Sequence, residues 1–325
     1  MLLVGSAPGC SVARMIDDGA GVLARVERGG LVESVHAGHA VALAADGTVR
    51  ARVGDPDVAF LPRSSLKPLQ AVAMLRAGLD LDGAALALAC ASHAGEPGHV
   101  DGVRAILATA GLIPADLQTP PAVPDNPDAA FAWRTAGHGL EPIAHMCSGK
   151  HAAMLATCAL RGWPPASYRD SAHPLQQAIT ATVAELTSDD PLPVVVDGCG
   201  APALSSTVAG IARAYARIAT APAGTAEHRV ATAMRERPWF VGGTARLATR
   251  LMLAEPGLLA KDGAEGGFTA AMPDGRALAV KVLDGSPRAI PALVSALLLA
   301  VGVDSPPADP VLGGGEPVGA VVPAF

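Results

Sequence analysis

Hydrophobic positions change their period along the chain. From Val22 the runs VLARVE, AVALAA and TVRARVG alternate as strands do, with Gly29-Gly30 and Asp46-Gly47 supplying turns between them. They predict an antiparallel meander. A helical period then takes over, and predicts helices near residues 64–77, 82–91, 98–110, 147–162, 173–187, 204–219, 224–237 and 244–254. The Pro-rich stretch over 113–128 reads as a surface connection. Strand signals return at 194–196, 258–261, 267–272 and 277–283, with Asp274-Gly275 as a hairpin turn between the last two. A last helix is expected over about 287–301, before a Gly/Pro-rich tail over 304–325 that is expected to be loosely held. Strands at both ends around a helical middle predict an α+β fold: one antiparallel sheet from both termini with an inserted helical subdomain. We therefore expect a single domain over 18–303, its helical part roughly 64–240, preceded by a disordered extension over 1–17 in which Met15 is an alternative start.

Composition narrows the class. Half of the 325 residues are apolar but only 3% are aromatic, so the core must be built from Ala, Leu and Val. A net charge of -6 argues against nucleic-acid binding, which calls for a basic face. No segment reaches the roughly 18–20 uninterrupted apolar residues of a membrane span, and the most apolar one, 290–303, contains Pro291. The first ten residues lack the cationic start of a signal peptide, and five cysteines are too few and odd for a disulfide framework. A cytoplasmic protein is expected, with neither nucleic acid nor membrane as partner.

Candidate chemistry begins at Arg63-Ser64-Ser65-Leu66-Lys67-Pro68. Pro68 is tolerated only in a first helical turn, so a helix must start near Ser64 or Ser65. Residues three apart share a helix face, which places Ser64, but not Ser65, beside Lys67. A desolvated, partly neutral amine can take the proton of a serine nucleophile. On these residues alone, a capping serine with a solvated lysine is the plainer account. Two further segments shift the balance. Ser92, in Cys90-Ala91-Ser92-His93-Ala94-Gly95-Glu96, can relay a proton or hold a leaving group. Lys261 opens Lys261-Asp262-Gly263-Ala264-Glu265-Gly266-Gly267, which resembles the K-T-G strand that accompanies S-x-x-K in serine β-lactamases and penicillin-binding proteins.

The cysteines suggest a second constellation. Cys147-Ser148-Gly149-Lys150-His151 opens a helix and Cys199 follows an apolar strand. A thiol at a helix start suits metal binding or reactivity, and Cys147 shares a face with Lys150. With Cys199 alongside, two thiolates and a further donor make a soft, zinc-type set, although cysteines so far apart are more often unrelated. Cys10, Cys90 and Cys158 read as buried or tail residues.

Taken together, ARVERGGLVESVHAGHAV, VGDP, RSSLKPLQA, ALACASHAGEP, HMCSGKHAAML, GWP, HPLQQA, DGCGAPA and AKDGAEG resemble the asparaginase II family, the bacterial L-asparaginases of the Rhizobium etli type. The resemblance runs from Ala24 to about Leu298. It implies a serine β-lactamase-like fold, hydrolysis of L-asparagine to L-aspartate and ammonia, and a homodimer. It also implies the catalytic pairs Ser64 with Lys67 and Ser92 with Lys261, and zinc on Cys147, Lys150 and Cys199 as an aid to substrate binding rather than the hydrolytic Lewis acid. Arg63, Asp197, Glu265 and His151 are the candidates for holding the substrate. Met146 stands where the family often has Asn, and no acidic residue follows Gly242-Gly243-Thr244-Ala245-Arg246, where Leu247-Ala248-Thr249 come next. Another amidase or β-lactam-type hydrolase on the same scaffold, and a non-catalytic zinc- or amino-acid-binding protein, are the alternatives.

Overall fold

The computed structural model describes residues 16–190, 192–305 and 308–325. Apart from Ile16 and Asp17, the extension expected over 1–17, with Cys10 and Met15, lies outside the described residues. Strands β1 (Gly21–Arg28), β2 (Leu31–Leu43), β3 (Val49–Val53) and β4 (Ala59–Phe60) come first. A 3-10 turn, Arg63–Leu66, leads into helix α1 (Lys67–Arg76). Helices α2 (Gly83–Ala89), α3 (Pro97–Thr109), α4 (Pro127–Thr135), α5 (Ser148–Arg161) and α6 (Pro174–Thr187) follow. Short strands β5 (Val194–Val196), β6 (Pro202–Leu204) and β7 (Ser206–Thr207) precede α7 (Val208–Thr220), α8 (Ala226–Glu236), α9 (Pro238–Gly242) and α10 (Leu247–Ala254). The chain closes with β8 (Leu259–Gly263), β9 (Gly267–Ala271), β10 (Ala277–Val282), α11 (Ile290–Ala300), β11 (Val311–Gly313) and β12 (Glu316–Pro323).

The main sheet runs β11-β12-β1-β2-β10-β9-β8, with β3 on β2, and its pairs are antiparallel. It is built from both chain ends, as the strand signals require. One edge of β2 pairs with β1 and then β3, while β10 takes the other edge. Gly38 sits where those pairings change, and a Cβ there would stand 2.0 Å from the Lys281 carbonyl oxygen. β9 and β10 are buried at every position, so both sheet faces are covered. Helix α7 packs against β2, β9 and β10, and α11 against β1, β2, β10 and β12.

Three expectations are corrected. The tail is not loose: β12 pairs with β1 from Ala24↔Pro323 to Arg28↔Gly319, and so extends the sheet. Gly314-Gly315 is the hairpin turn between β11 and β12, a strand signal masked by the surrounding Gly and Pro density. The helix expected from 204 begins only at Val208, because Thr207 caps it through Gly210 N–H and the preceding residues pair as β6 and β7. The helix expected at 64 is a 3-10 turn up to Leu66, with α proper starting at Lys67.

Candidate active site

Three segments converge where α1 begins. Gly263 of β8 lies against the 3-10 turn so closely that a Cβ would meet Pro62 O at 2.7 Å and Ser65 Oγ at 3.0 Å. Ser65 donates to Lys261 O (3.3 Å), and the Tyr215 hydroxyl donates to Ser65 O (2.8 Å), which pins the turn onto the strand. The first turn of α5 packs on the end of α2, where a Cβ on Gly149 would stand 2.4 Å from Leu88 O. Ser92 follows α2, and its N–H donates to Val241 O (3.0 Å). These close approaches bring Ser64, Lys67, Ser92, Cys147 and Lys261 into one neighbourhood.

Only four of the chain's 24 cationic residues are lysine, and all four are buried: Lys67 and Lys150 are 1% exposed, Lys261 0% and Lys281 8%. Lysine is rarely buried without a partner charge, yet among the described residues none of these forms an ion pair with a carboxylate. Lys67 Nζ donates to Ala91 O (2.6 Å), Ser92 Oγ (3.0 Å) and Cys147 Sγ (3.2 Å). Lys261 Nζ donates to Ser92 Oγ (3.1 Å) and Asp262 O (3.0 Å). One serine hydroxyl thus lies between two buried amines. Burial pushes the Lys261 amine down to about 7, against the pull of the Asp262 carboxylate. Burial also lowers the Lys67 amine, more than the Cys147 charge restores it.

The hydroxyl of Ser64 is arranged differently. It is half-buried and, among the described residues, takes part in no hydrogen bond, with Lys67 turned toward Ser92 instead. The expected pairing of Ser64 with Lys67 is therefore one of shared helix face rather than of contact. A free, accessible hydroxyl beside an occupied amine is compatible with a group that engages on substrate binding, since catalytic hydrogen bonds are often open without ligand.

Histidine holds this cluster in place. His93, fully buried, accepts the Gly95 N–H at Nδ1 (3.2 Å), so its one proton is on Nε2 and is donated to Ser148 Oγ (2.8 Å). Ser148 passes its own proton to Ile143 O (2.7 Å), and His93 N–H donates to Met146 O (3.1 Å). The residue after Ser92 is thereby tied to the residues on either side of Cys147. Burial drives the His93 imidazole well below its usual range, which keeps this tautomer neutral.

Lys150 Nζ donates to Cys199 Sγ (3.2 Å), and the two thiols of Cys147 and Cys199 are themselves within hydrogen-bonding reach. The Cys199 hydrogen bond and the Lys67 and Lys150 charges together hold the Cys147 thiol well below its usual range. Burial lowers the Lys150 amine, but the charges of Cys199, Cys147 and Asp197 outweigh it and the net shift is upward. By contrast burial raises Cys90 to about 12 and Cys158 to about 11, which leaves both inert. Met146 packs on the Cys147, Cys199 and Ala201 cluster. Among the described residues no group of three or more His, Cys, Asp or Glu stands ready to hold a metal, so any such site has to count the lysine amine.

Three of the four substrate candidates lie near one another: Arg63 and Glu265 line one cavity, and Asp197 pairs with Arg63. Arg63 Nε donates to Asp197 Oδ1 (2.7 Å), so two of them pair with each other. Burial alone would raise the Asp197 carboxyl, but the Lys150 and Arg63 charges bring it below its usual value. Glu265 lies on the turn between β8 and β9 in the left-handed region, φ 55°, as does Arg63 at φ 52°. His151 is fully buried; its Nδ1 bonds the Tyr168 hydroxyl (2.6 Å), and Cys199 lies within hydrogen-bonding reach of its ring. Arg246, which lacks an acidic neighbour in sequence, finds one at Asp125 Oδ2 (2.7 Å). Sequence reading missed His93, Tyr168 and Lys281; the scarcity of lysine was the one signal that marked the last.

Residues 24–321 match the family described as L-asparaginase II. No curated relative matches the chain by sequence. Among solved structures it is similar to a β-lactamase from Mycobacterium bovis, at 16% identity over 82% of this chain and 95% of that one, with a TM-score of 0.46. It is also similar to Mglu in its native form (16%, 81% and 63%, 0.42) and to EstCE1, a hydrolase with promiscuous acyltransferase activity (13%, 89% and 94%, 0.39). Likeness at this level does not bear on substrate or mechanism.

Proposed function

The chain belongs to the L-asparaginase II family, and on that premise we propose that it hydrolyses L-asparagine to L-aspartate and ammonia with Ser64 as nucleophile. The observation that carries the chemistry is the Lys67–Ser92–Lys261 chain, two buried amines on one hydroxyl that form no ion pair with a carboxylate among the described residues. Such an arrangement is a poor structural brace and a good proton conduit. Ser64 Oγ attacks the side-chain amide carbon while its proton passes to a neutral Lys67. Ser92 carries the proton onward toward Lys261, whose amine near 7 can accept or return it. The proton then goes to the departing nitrogen as the C–N bond breaks, and water cleaves the resulting ester to release aspartate. The helix start beneath Ser64 favours the negative charge that develops there.

Zinc fits the donor chemistry of the neighbouring cluster. Cys147, Cys199 and a deprotonated Lys150 would hold it, with the His151 ring within reach of Cys199. When bound, the ion would offer an open position to a substrate oxygen or nitrogen. Free buried thiols suit a reducing compartment, so a cytoplasmic location accompanies this reading.

The test is substitution with ammonia release as readout. Ser64→Ala should abolish turnover with the fold retained, and Ser92→Ala should lower kcat strongly. Ser65→Ala, which removes only the bond to Lys261 O, should cost about 1 kcal/mol of stability and much less activity. Full activity in Ser64→Ala would sink the assignment of the nucleophile.

A further inference from the structure

Three of the four buried lysines have a place in the clusters above. Lys281 has none, although it too is buried. The sheet register shows which way it points. Lys261 lies opposite Thr269, and Thr269 opposite Ala279, so these residues share a face. Lys281 is two residues beyond Ala279 and belongs to that same face, whereas Asp262 belongs to the other. Two strands across and two residues along put the Lys261 and Lys281 backbones about 12 Å apart on the face that carries the chemistry.

Lys281 opens on a cavity of about 450 Å³ whose walls include Phe60, Leu61, Arg63, Val195 and Glu265. Its amine donates to the Glu265 carbonyl oxygen and, among the described residues, to no other group. Among the described residues Arg63 has committed only Nε, to Asp197, and its terminal nitrogens hold no hydrogen bond. Arg63 and Glu265 both hold left-handed backbone conformations that non-glycine residues adopt at a cost, a feature that collects at ligand sites. Two cations with spare donors therefore face one largely apolar space, and one of them directly precedes Ser64.

We propose that Lys281 and Arg63 form the subsite for the substrate's α-carboxylate, leaving Asp197 and Glu265 for its α-ammonium. This rests on the amidohydrolase reading and deepens it. A carboxylate held between the two cations fixes the amino-acid head beside the residue that carries the nucleophile. Arg63 alone, engaged with Asp197, offers half of such a clamp. Lys281 is a binding and specificity residue, and it serves the head group rather than the bond that breaks.

Calorimetry with two probes tests this: L-aspartate, and β-alanine, which is aspartate without its α-carboxylate. Lys281→Met should weaken L-aspartate binding by about tenfold or more, the weight of one charge-assisted hydrogen bond, and should weaken β-alanine far less. Lys281→Arg should recover most of the loss. If Lys281→Met proves unfolded by circular dichroism, Lys281→Gln takes its place. L-Aspartate binding within twofold of wild type in the folded variant, or equal losses for both probes, would overturn the subsite. Ammonia release from L-asparagine by the wild type separates the two levels. If release is normal and the variant unaffected, only the subsite falls; if there is no release and no L-aspartate binding, the hydrolase reading falls and takes the subsite with it.

Discussion

The proton conduit makes a prediction with a sign that can be reversed at will. Lys261 is held near 7 by burial, with Asp262 raising it and Lys67 and Arg246 lowering it. If catalysis needs the neutral amine, about nine-tenths of it is available at pH 8 and about one-tenth at pH 6, so kcat/KM should fall roughly tenfold between them. Asp262→Asn removes the charge that raises the amine and should move this acid limb to lower pH. The variant should keep a larger share of its plateau at pH 6 than wild type does. Arg246→Gln removes a charge that lowers the amine and should move the limb the other way. The Asp262 side chain lies on the sheet face opposite Lys261, and among the described residues its Oδ2 has no partner, so Asn fits without breaking a bond at the site. Ammonia release from L-asparagine between pH 5.5 and 8.5 at fixed ionic strength provides the profile. Zinc analysis of each sample separates a limb caused by loss of metal, which would also appear on the acid side. Limbs that coincide in all three proteins, or that shift in one direction for both substitutions, would refute Lys261 as the titrating group.

Zinc bound through Cys199 should be lost in Cys199→Ser, with KM raised more than kcat is lowered; metal analysis and steady-state kinetics check this, and a normal KM with no turnover contradicts it. His93→Gln keeps a donor where Nε2 stood and His93→Asn keeps only the acceptor for Gly95 N–H, so the first should retain more activity and the second should behave like Ser148→Ala. The kinetics of the three variants decide whether the link to Ser148 is the one that matters. We also expect a two-fold homodimer: Val194, Val195 and Val196 are all exposed on β5 of the isolated chain, and sedimentation at micromolar concentration should find two chains together.

What the sequence made legible was local. The alternation from Val22, the Asp274-Gly275 turn and the Pro68 signal each depend on a few neighbouring residues, and strands and a helix start lie close to where those signals put them. The C-terminal hairpin was missed because Gly and Pro density is as typical of a loose tail as of a Gly-Gly turn. What distinguishes them is the pairing of β12 with β1, nearly three hundred residues away. The same limit applies at the site. Spacing of three brought Ser64 and Lys67 to one face, but it could not show that the Lys67 amine turns to Ser92 and Cys147, which belong to other segments.

One feature of composition was informative beyond its neighbours. The chain places arginine, always charged and well suited to exposed ion pairs, wherever a surface cation is needed, as in Arg76 with Glu185 and Arg229 with Asp80. Lysine is kept for positions whose amine is withdrawn from water, where its pKa can move by units. An arginine at 67 or 261 would keep its charge at every working pH and could not take a proton from a serine. A methionine would fill the space and carry no proton at all. The residue type at those positions follows from the chemistry asked of it, and the burial of Lys67 and Lys261 is the physical trace of that demand.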